Sequence, residues 1–307
     1  MSEAIVASPS VFPAHLMRRA AWAAVGVAGF LIILKAAAFI ITGSISMMAS
    51  LADSGLDLIG STINLLAIGQ SLTPADREHR FGHGKAEPLA GLAQGAFIAG
   101  SATFLVIEAV SRLVSPQPIA HGWIGLVVMG VSIAAVVVLV AIQRITVART
   151  GSLAIAADSL HYVGDVVTNG GVIIGIVLST QFGWLEADPI VGLIVAAILS
   201  LSAWHVFRQS YDQLMDRELP DAERARIKQI VMGHQDVVNL HDLRTRAAGI
   251  STFIQMHIEL DPALSLTRAH EVSDAVEADI LAAYPHAEII IHQDPAGVEM
   301  PEPLAQS

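Results

Sequence analysis

Two pairs of potential metal ligands lie inside long apolar stretches of the sequence. Asp53 and Asp57 form the first pair, and His161 and Asp165 form the second, each with a spacing of four residues. Residues i and i+4 share one face of a helix, so each stretch would present two ligands on the same side. Burying one acid at the centre of a bilayer costs roughly 2.5–3.5 kcal/mol on insertion scales, and intramembrane ionisable residues usually mark a site for ions or protons. The function is therefore predicted to reside at these residues.

The composition is that of a polytopic membrane protein with a soluble extension. Hydrophobic residues make up 53% of the chain and charged residues 15%, with a mean hydropathy of +0.60, which exceeds the range of ordinary soluble domains. Up to Arg208 there are 10 basic and 11 acidic residues, whereas from Gln209 onward there are 7 and 17. The acidic extension can form one small domain, and it has no basic patch for nucleic acid. Since the chain has no Cys, only oxygen and imidazole donors are available for a metal.

Six apolar stretches are long enough to cross a bilayer as helices, which takes roughly 20 residues each. They cover residues 20–41, 45–70, 89–113, 122–148, 153–180 and 187–207. Most of the basic residues between them fall on one side, and the positive-inside rule makes that side cytoplasmic, together with both termini. We therefore expect an N-terminal segment over 1–19, a six-helix transmembrane domain over 20–208, a cytoplasmic metal-binding domain over 209–296 and a disordered tail over 297–307.

The acidic extension has the pattern of an α+β domain. Pro220 followed by Asp221 is a helix-start signal, and two strand-like stretches follow at 237–246 and 252–260. In the second stretch apolar and polar residues alternate, which places His257 on the polar face. A helix over 267–284 and a strand over 288–292 complete the predicted order α-β-β-α-β, a metallochaperone-like α+β sandwich.

Four motifs, in this order along the chain, resemble the cation diffusion facilitator family. They are Asp53-x3-Asp57, the segment from Phe81 to Glu87, His161-x3-Asp165 and the segment from Ile291 to Pro295. The match extends over nearly the whole chain and is strongest to a bacterial efflux protein for zinc and ferrous iron. The resemblance implies a homodimer in the inner (cytoplasmic) cell membrane, with six helices per protomer and a cytoplasmic metal-binding domain.

The resemblance also implies that Asp53, Asp57, His161 and Asp165 form one tetrahedral transport site. Three carboxylates and an imidazole suit Zn²⁺, and four protein ligands leave no open position for catalytic water. A buried polar network is the alternative, although three acids with no Lys or Arg nearby in the sequence would repel one another without a cation. Asp158 is on the same helix face as His161 and could orient a ligand, form an entrance or lie exposed at a helix end.

A second cluster of ligand types follows the second apolar stretch. Asp76, His79 and His83 lie within eight residues, and nearby glycines favour a loop. The resemblance implies a further zinc site there, and a solvated polar loop is the alternative. It also implies a salt bridge between Lys85 and Asp216, although a Lys beside a membrane helix is usually a topology signal.

The acidic extension contains the third set of candidate ligands. The resemblance implies a binuclear metal site, and the matching residues are His241, His257, His270, His292 and Asp294. His292 and Asp294 share a strand face, and one carboxylate can bridge two metals. Each histidine taken alone is better explained as an ordinary surface residue, and some of these ligands could belong to different protomers.

These observations predict a proton-coupled antiporter that exports a divalent transition metal, with Zn²⁺ preferred. A metal requires a neutral His and ionised acids, whereas protons require the reverse, so the two can exchange at one site. Fe²⁺, Mn²⁺ or Cd²⁺ export is the alternative within transport, and a membrane-anchored metal sensor or scaffold is the alternative outside it. An intramembrane metallohydrolase ranks last, and no ATP site is visible. Lys35 receives no role, because a lysine stem can snorkel or pack between helices.

Overall fold

The computed structural model describes residues 14–43, 45–114, 123–182 and 187–297. Most of the predicted N-terminal segment and of the predicted C-terminal tail lies outside these ranges. In the described residues the elements are α1 (Ala14–Thr42), α2 (Ile45–Ser71), α3 (Ala86–Val114), α4 (Trp123–Thr150), α5 (Leu153–Phe182), α6 (Ala187–Leu214), α7 (Asp221–Met232), β1 (Val237–Ala248), β2 (Ser251–Leu260), α8 (Leu266–Ala283) and β3 (Ala287–Pro295). Two compact units result, with a division at Tyr211 and Asp212.

The first unit consists of long helices. Five of the described helical stretches are long and apolar enough to cross a membrane: Ala14–Thr42, Ser50–Ser71, Ala86–Val114, Val127–Thr150 and Pro189–Leu214. The remaining long helix, α5, is not one of these five. The mostly helical membrane architecture is confirmed, while the count of six spans stays a prediction.

Small and aromatic residues bring the helices of this unit together. The buried face of α1 repeats Ala20, Ala24 and Ala28 at intervals of one turn, which allows close helix approach. Tyr162 of α5 is fully buried, and its hydroxyl lies 2.8 Å from Ser61 Oγ of α2. This buried hydrogen bond joins the two helices that contain the predicted transport ligands.

A carboxylate at the start of α3 caps the start of α5. Glu87 is fully buried and accepts hydrogen bonds from Leu153 N at 3.1 Å and from Ser152 Oγ at 3.2 Å. The first backbone N–H groups of a helix have no partner within it, and a negative charge there also suits the helix dipole. The N-terminus of α5 is therefore stabilised by a neighbouring helix.

The second unit is a three-stranded sheet with two helices on one face. The strand order is β1-β2-β3, with β1 antiparallel and β3 parallel to β2. Alternate residues of β2, including Ile254, Met256 and Ile258, are buried and pack with apolar residues of α7 and α8. The parallel β2 and β3 pair requires a crossover, which α8 provides. The predicted order α-β-β-α-β is confirmed.

The first strand contains a β-bulge next to His241. The pairing register shifts between His241 and Arg244, and Asp242 adopts a φ of 49°, in the left-handed region. A bulge adds a residue to one strand and changes the direction of the neighbouring side chains. The bulge therefore helps to set where the His241 ring points.

Candidate metal centres

Three of the four predicted transport ligands lie together between α2 and α5. Asp57, His161 and Asp165 each offer a ligand atom within 4.8 Å of the others, and we call them the transmembrane group. His161 Nε2 lies 3.0 Å from Asp57 Oδ1 and 4.0 Å from Asp165 Oδ2. Asp57 and His161 are buried. One imidazole and two carboxylates held this closely can bind a divalent cation.

Asp53 is not part of the transmembrane group but lines the adjoining cavity. It lies one helical turn before Asp57, and its side chain is exposed. The cavity wall also includes Lys35 of α1, together with Asp57 and Asp165. The predicted fourth ligand is thus near the group without joining it in this arrangement.

Asp158 occupies a buried position one turn before His161. Gln94 of α3 donates to Asp158 Oδ1 and Gln143 of α4 donates to Asp158 Oδ2, each at 2.7 Å. Of the interpretations offered by the sequence, the exposed helix end is wrong, because Asp158 is only 1% exposed. Its carboxylate links three helices. The two glutamines had no recognisable signal in the sequence.

The loop between α2 and α3 brings its three predicted ligands together. Asp76 Oδ1 lies 3.4 Å from His79 Nδ1, and Asp76 Oδ2 lies 3.5 Å from His83 Nε2. The centres of the two imidazole rings are 4.5 Å apart. We call Asp76, His79 and His83 the loop group, which offers three ligand atoms for one metal.

Backbone contacts hold the loop group in place. Asp76 Oδ1 accepts the backbone N–H of His79 at 2.6 Å and that of Glu78 at 2.9 Å. The hydrogen bond from His79 is the main reason that the pKa of the Asp76 carboxyl is below its usual range. The other nitrogen of the His83 ring, Nδ1, lies 3.3 Å from the carbonyl of Thr73, which orients the ring so that Nε2 faces Asp76.

The predicted partner of Lys85 has a contact within the second unit. Asp216 Oδ1 lies 3.2 Å from Arg246 Nη1. Asp216 also has a φ of 56°, just after the end of α6. The pair between Lys85 and Asp216 stays a prediction.

Three histidines form a row across the sheet on the face away from α7 and α8. His241 pairs with His257 in the antiparallel register, and His257 pairs with His292 in the parallel register. Neighbouring ring centres are 5.1 Å and 4.5 Å apart. Strand pairing alone is enough to place these three rings side by side.

A buried carboxylate lies at the centre of this row. Asp294 Oδ2 is 2.8 Å from His257 Nδ1 and 3.3 Å from His241 Nε2, and Asp294 Oδ1 is 3.0 Å from His292 Nε2. Asp294 is 3% exposed. We call these four residues the sheet group. A carboxylate with both oxygens facing imidazoles can bridge two metal ions.

Two further residues change the set of ligands predicted for the C-terminal domain. His270 lies on α8, 3.6 Å from Asp274, and among the described residues it is not part of the sheet group. Glu259 was not predicted as a ligand, yet its Oε1 lies 3.8 Å from His241 Nε2. The sequence could have indicated Glu259 as a ligand, because it is two residues from His257 on β2 and so shares the same strand face.

The sequence matches known proteins over both units. Residues 21–215 match a family described as the cation efflux transmembrane domain, and residues 219–296 match the cation efflux protein, cytoplasmic domain. A relative from Shewanella oneidensis, named cation-efflux pump FieF, is 45% identical over 283 residues, with 92% of this chain and 95% of the relative covered. A relative of the same name from Escherichia coli O1:K1 is 44% identical over 284 residues, with 92% and 94% covered.

One solved structure of a single domain matches about a quarter of the chain. The metal-bound C-terminal domain of the CzcD transporter from Thermotoga maritima is 30% identical, covers 26% of this chain and 100% of that chain, and has a TM-score of 0.25.

Proposed function

This chain belongs to the cation efflux family, and from that membership we propose that it is a proton-coupled antiporter that exports Zn²⁺ from the cytoplasm. Membership makes it a transporter of divalent metal ions. The zinc preference, the proton coupling and the ligands Asp53, Asp57, His161 and Asp165 are the proposed refinements. We also propose that it lies in the inner cell membrane with both termini in the cytoplasm.

The observation that carries this proposal is the transmembrane group. Two carboxylates and an imidazole meet between α2 and α5, and Asp57 and His161 are buried there, where an unpaired charge is costly. A divalent cation offsets that charge, and so do protons on the same ligands. Metal and protons therefore compete for one site, and a proton gradient can drive the exchange.

Alternating access requires that the ligands separate and meet again during transport. The ligands come from two different helices, and Asp53 lies one turn from the group. A small shift of α2 relative to α5 changes which carboxylates face His161. We propose that Asp53 completes a four-ligand arrangement in the loaded state.

The loop group and the sheet group act as regulatory sites for cytoplasmic metal. Metal on the sheet group offsets part of the negative charge of the C-terminal domain and brings the two copies of this domain in a homodimer closer. Because His270 lies on α8, across the sheet from the row, it belongs to this proposal only as a ligand that the second protomer of the homodimer supplies to the second metal ion. A metal titration that left the distance between the two domains unchanged would remove the regulatory part of the proposal.

A different cargo is the first competing function. Carboxylates are harder ligands than imidazoles, and an acid-rich site suits Mn²⁺ or Fe²⁺ better than a histidine-rich site does. The imidazole of His161 favours zinc, and Cd²⁺ is a further candidate cargo. A membrane-anchored metal sensor is the second competing function, and the separate sheet group favours it.

Metal flux into proteoliposomes tests the proposal. The vesicles contain a zinc dye and a pH dye, and an imposed proton gradient drives transport by the wild-type chain or by Asp165→Ala. Opposed zinc and proton movements that are lost in Asp165→Ala support the antiporter. Tight zinc binding without flux favours the sensor, and flux of Fe²⁺, Mn²⁺ or Cd²⁺ in place of Zn²⁺ favours another cargo.

A further inference from the structure

A buried lysine lies beside the proposed transport site. Lys35 has the only charge between residues 20 and 42, and it is 8% exposed. A lysine near the end of a membrane helix usually extends its ammonium group to the interface. The ammonium of Lys35 instead lies 2.7 Å from Ser54 Oγ and 3.2 Å from the carbonyl oxygen of Ser50, both on α2.

The contacts of Lys35 with α2 bring its charge close to the metal ligands. Ser50, Ser54 and Asp57 are spaced by four and three residues and so share one face of α2. Lys35 lines the same cavity as Asp53, Asp57 and Asp165. Charged groups inside a membrane protein generally pair with one another, and the carboxylates around this cavity are the matching partners.

We propose that Lys35 is a fixed counter-cation that sets the charge of the transport site. The inference rests on the proposed function. Three ionised carboxylates and one ammonium sum to a charge of minus two when His161 is neutral, so a divalent ion makes the loaded site neutral. A monovalent or a trivalent ion leaves a net charge. A neutral loaded site is the one that can close with the least cost in a low-dielectric environment.

The same charge limits how tightly the cargo is held. Transport requires binding that is strong enough to load the site and weak enough to release the ion. A positive charge close to the metal weakens its binding, and at the dielectric of a protein interior the effect on affinity is about tenfold or more. Lys35 is therefore a specificity-determining residue that does not bind the metal itself.

Zn²⁺ binding by the full-length protein in lipid nanodiscs tests this inference. The transmembrane component of binding is defined as the part that Asp57→Asn removes. Two neutral variants, Lys35→Met and Lys35→Gln, are compared with the charged variant Lys35→Arg and with Ser54→Ala, which removes one hydrogen-bond acceptor. Lys35→Gln can still donate to Ser50 and Ser54, so it separates the loss of charge from the loss of the hydrogen bond. Zn²⁺ flux at saturating metal is measured for each.

The expected result is a gain in affinity with a loss of turnover in the neutral variants. The transmembrane component should tighten by about tenfold in Lys35→Met and in Lys35→Gln, while their maximal flux falls because release is slower. Lys35→Arg and Ser54→Ala should keep an affinity near that of the wild type. An unchanged or weaker affinity in Lys35→Gln, or a shift of Lys35→Arg in the same direction as Lys35→Met, overturns the inference alone. Wild-type binding with no component removed by Asp57→Asn overturns the transport site and this inference together.

Discussion

The transmembrane group and the sheet group combine the same ligand types in opposite proportions, and the first lies on helices whereas the second lies on strands. The transmembrane group has one imidazole and two carboxylates, held by side chains of two helices. The sheet group has three imidazoles around one carboxylate, and backbone pairing of three strands places the rings. One site depends on helix packing, and the other depends on strand register.

This difference indicates which of the two sites can move. Helices that meet through side chains can shift by a few ångströms while their backbone hydrogen bonds stay intact. A shift of one strand against another breaks the ladder and turns side chains to the other face. The transmembrane group is therefore suited to a change of accessibility, and the sheet group is suited to measuring metal concentration at a fixed geometry.

Removal of a transmembrane ligand should give the largest effect. Asp57→Asn keeps the size of the side chain but loses the charge that faces His161. Loss of a partner that only orients a ligand costs 10–100-fold, so we expect loss of a ligand to lower Zn²⁺ flux by about 100-fold or more. Flux into proteoliposomes is the measurement, with Asp221→Asn, the same change at an exposed position, as the control. Flux near the wild-type level in Asp57→Asn would contradict the proposal that zinc is transported through the transmembrane group.

Removal of the central carboxylate of the sheet should affect binding much more than flux. Asp294→Asn leaves three imidazoles without the shared charge, and we expect the zinc affinity of the sheet group to fall by about 10–100-fold. Zn²⁺ binding is measured in the Asp57→Asn background, so that the transmembrane group does not contribute to the measured binding. Flux of Asp294→Asn alone at saturating zinc should stay within a small factor of the wild type.

The control for the sheet group is a histidine in the same domain. His234 lies 3.1 Å from Asp279 and outside the row, so His234→Ala should leave zinc binding unchanged. Equal losses in His234→Ala and Asp294→Asn would mean that the row is not the binding site.

The buried hydrogen bond between α2 and α5 should have a moderate effect on stability. Tyr162→Phe removes the contact with Ser61 without removing a metal ligand, and such a bond contributes about 1 kcal/mol. Unfolding of the purified protein in detergent is the measurement. Ser61→Ala should cost a similar amount, and the double variant should cost less than the sum of the two. Strictly additive losses would mean that the two hydroxyl groups do not interact.

The smallest effect is expected for Asp76→Ala, which should change only the hydrogen exchange of amides in the loop group. The pKa of Asp76 is below its usual range. At neutral pH the carboxylate is therefore ionised and its hydrogen bonds stabilise the loop fully, and this stabilisation is lost only as the pH falls through the lowered pKa. Hydrogen exchange at the amides of Glu78 and His79 is the measurement. Protection should be constant from about pH 7 to pH 5 after correction for intrinsic exchange, and Asp76→Ala should remove it. A loss of protection within that pH range would contradict this explanation.

The C-terminal domain shows how much a local pattern can predict. The alternation along β2 placed His257 on the face opposite the core, because a period of two residues is a property of the strand itself. The pairing of His292 with His257 depends on the crossover through α8, which no local pattern contains. The bulge at Asp242 was also not predicted, since a non-glycine residue with positive φ has only a weak signal in a single sequence.

The transmembrane unit shows the limit of spacing as a guide. The i and i+4 spacing predicted that each pair shares one helix face, and the resemblance to the family implied that the two pairs meet. Spacing could not show that Asp53 would lie outside the group, because its distance depends on the rotation of α2 against α5. The contact of Lys35 with Ser54 joins residues 19 positions apart in two helices, and it depends on packing alone.

The cap that Glu87 places on α5 has a mechanical consequence. Any axial slide of α5 by itself breaks the hydrogen bonds from Ser152 and Leu153 and leaves a buried carboxylate without partners, which is costly. The first turns of α3 and α5 are thus held together by the Glu87 carboxylate. Since the loop group directly precedes α3 along the chain, a displacement of that loop is transmitted to α5, the helix of His161, through the contacts of one side chain.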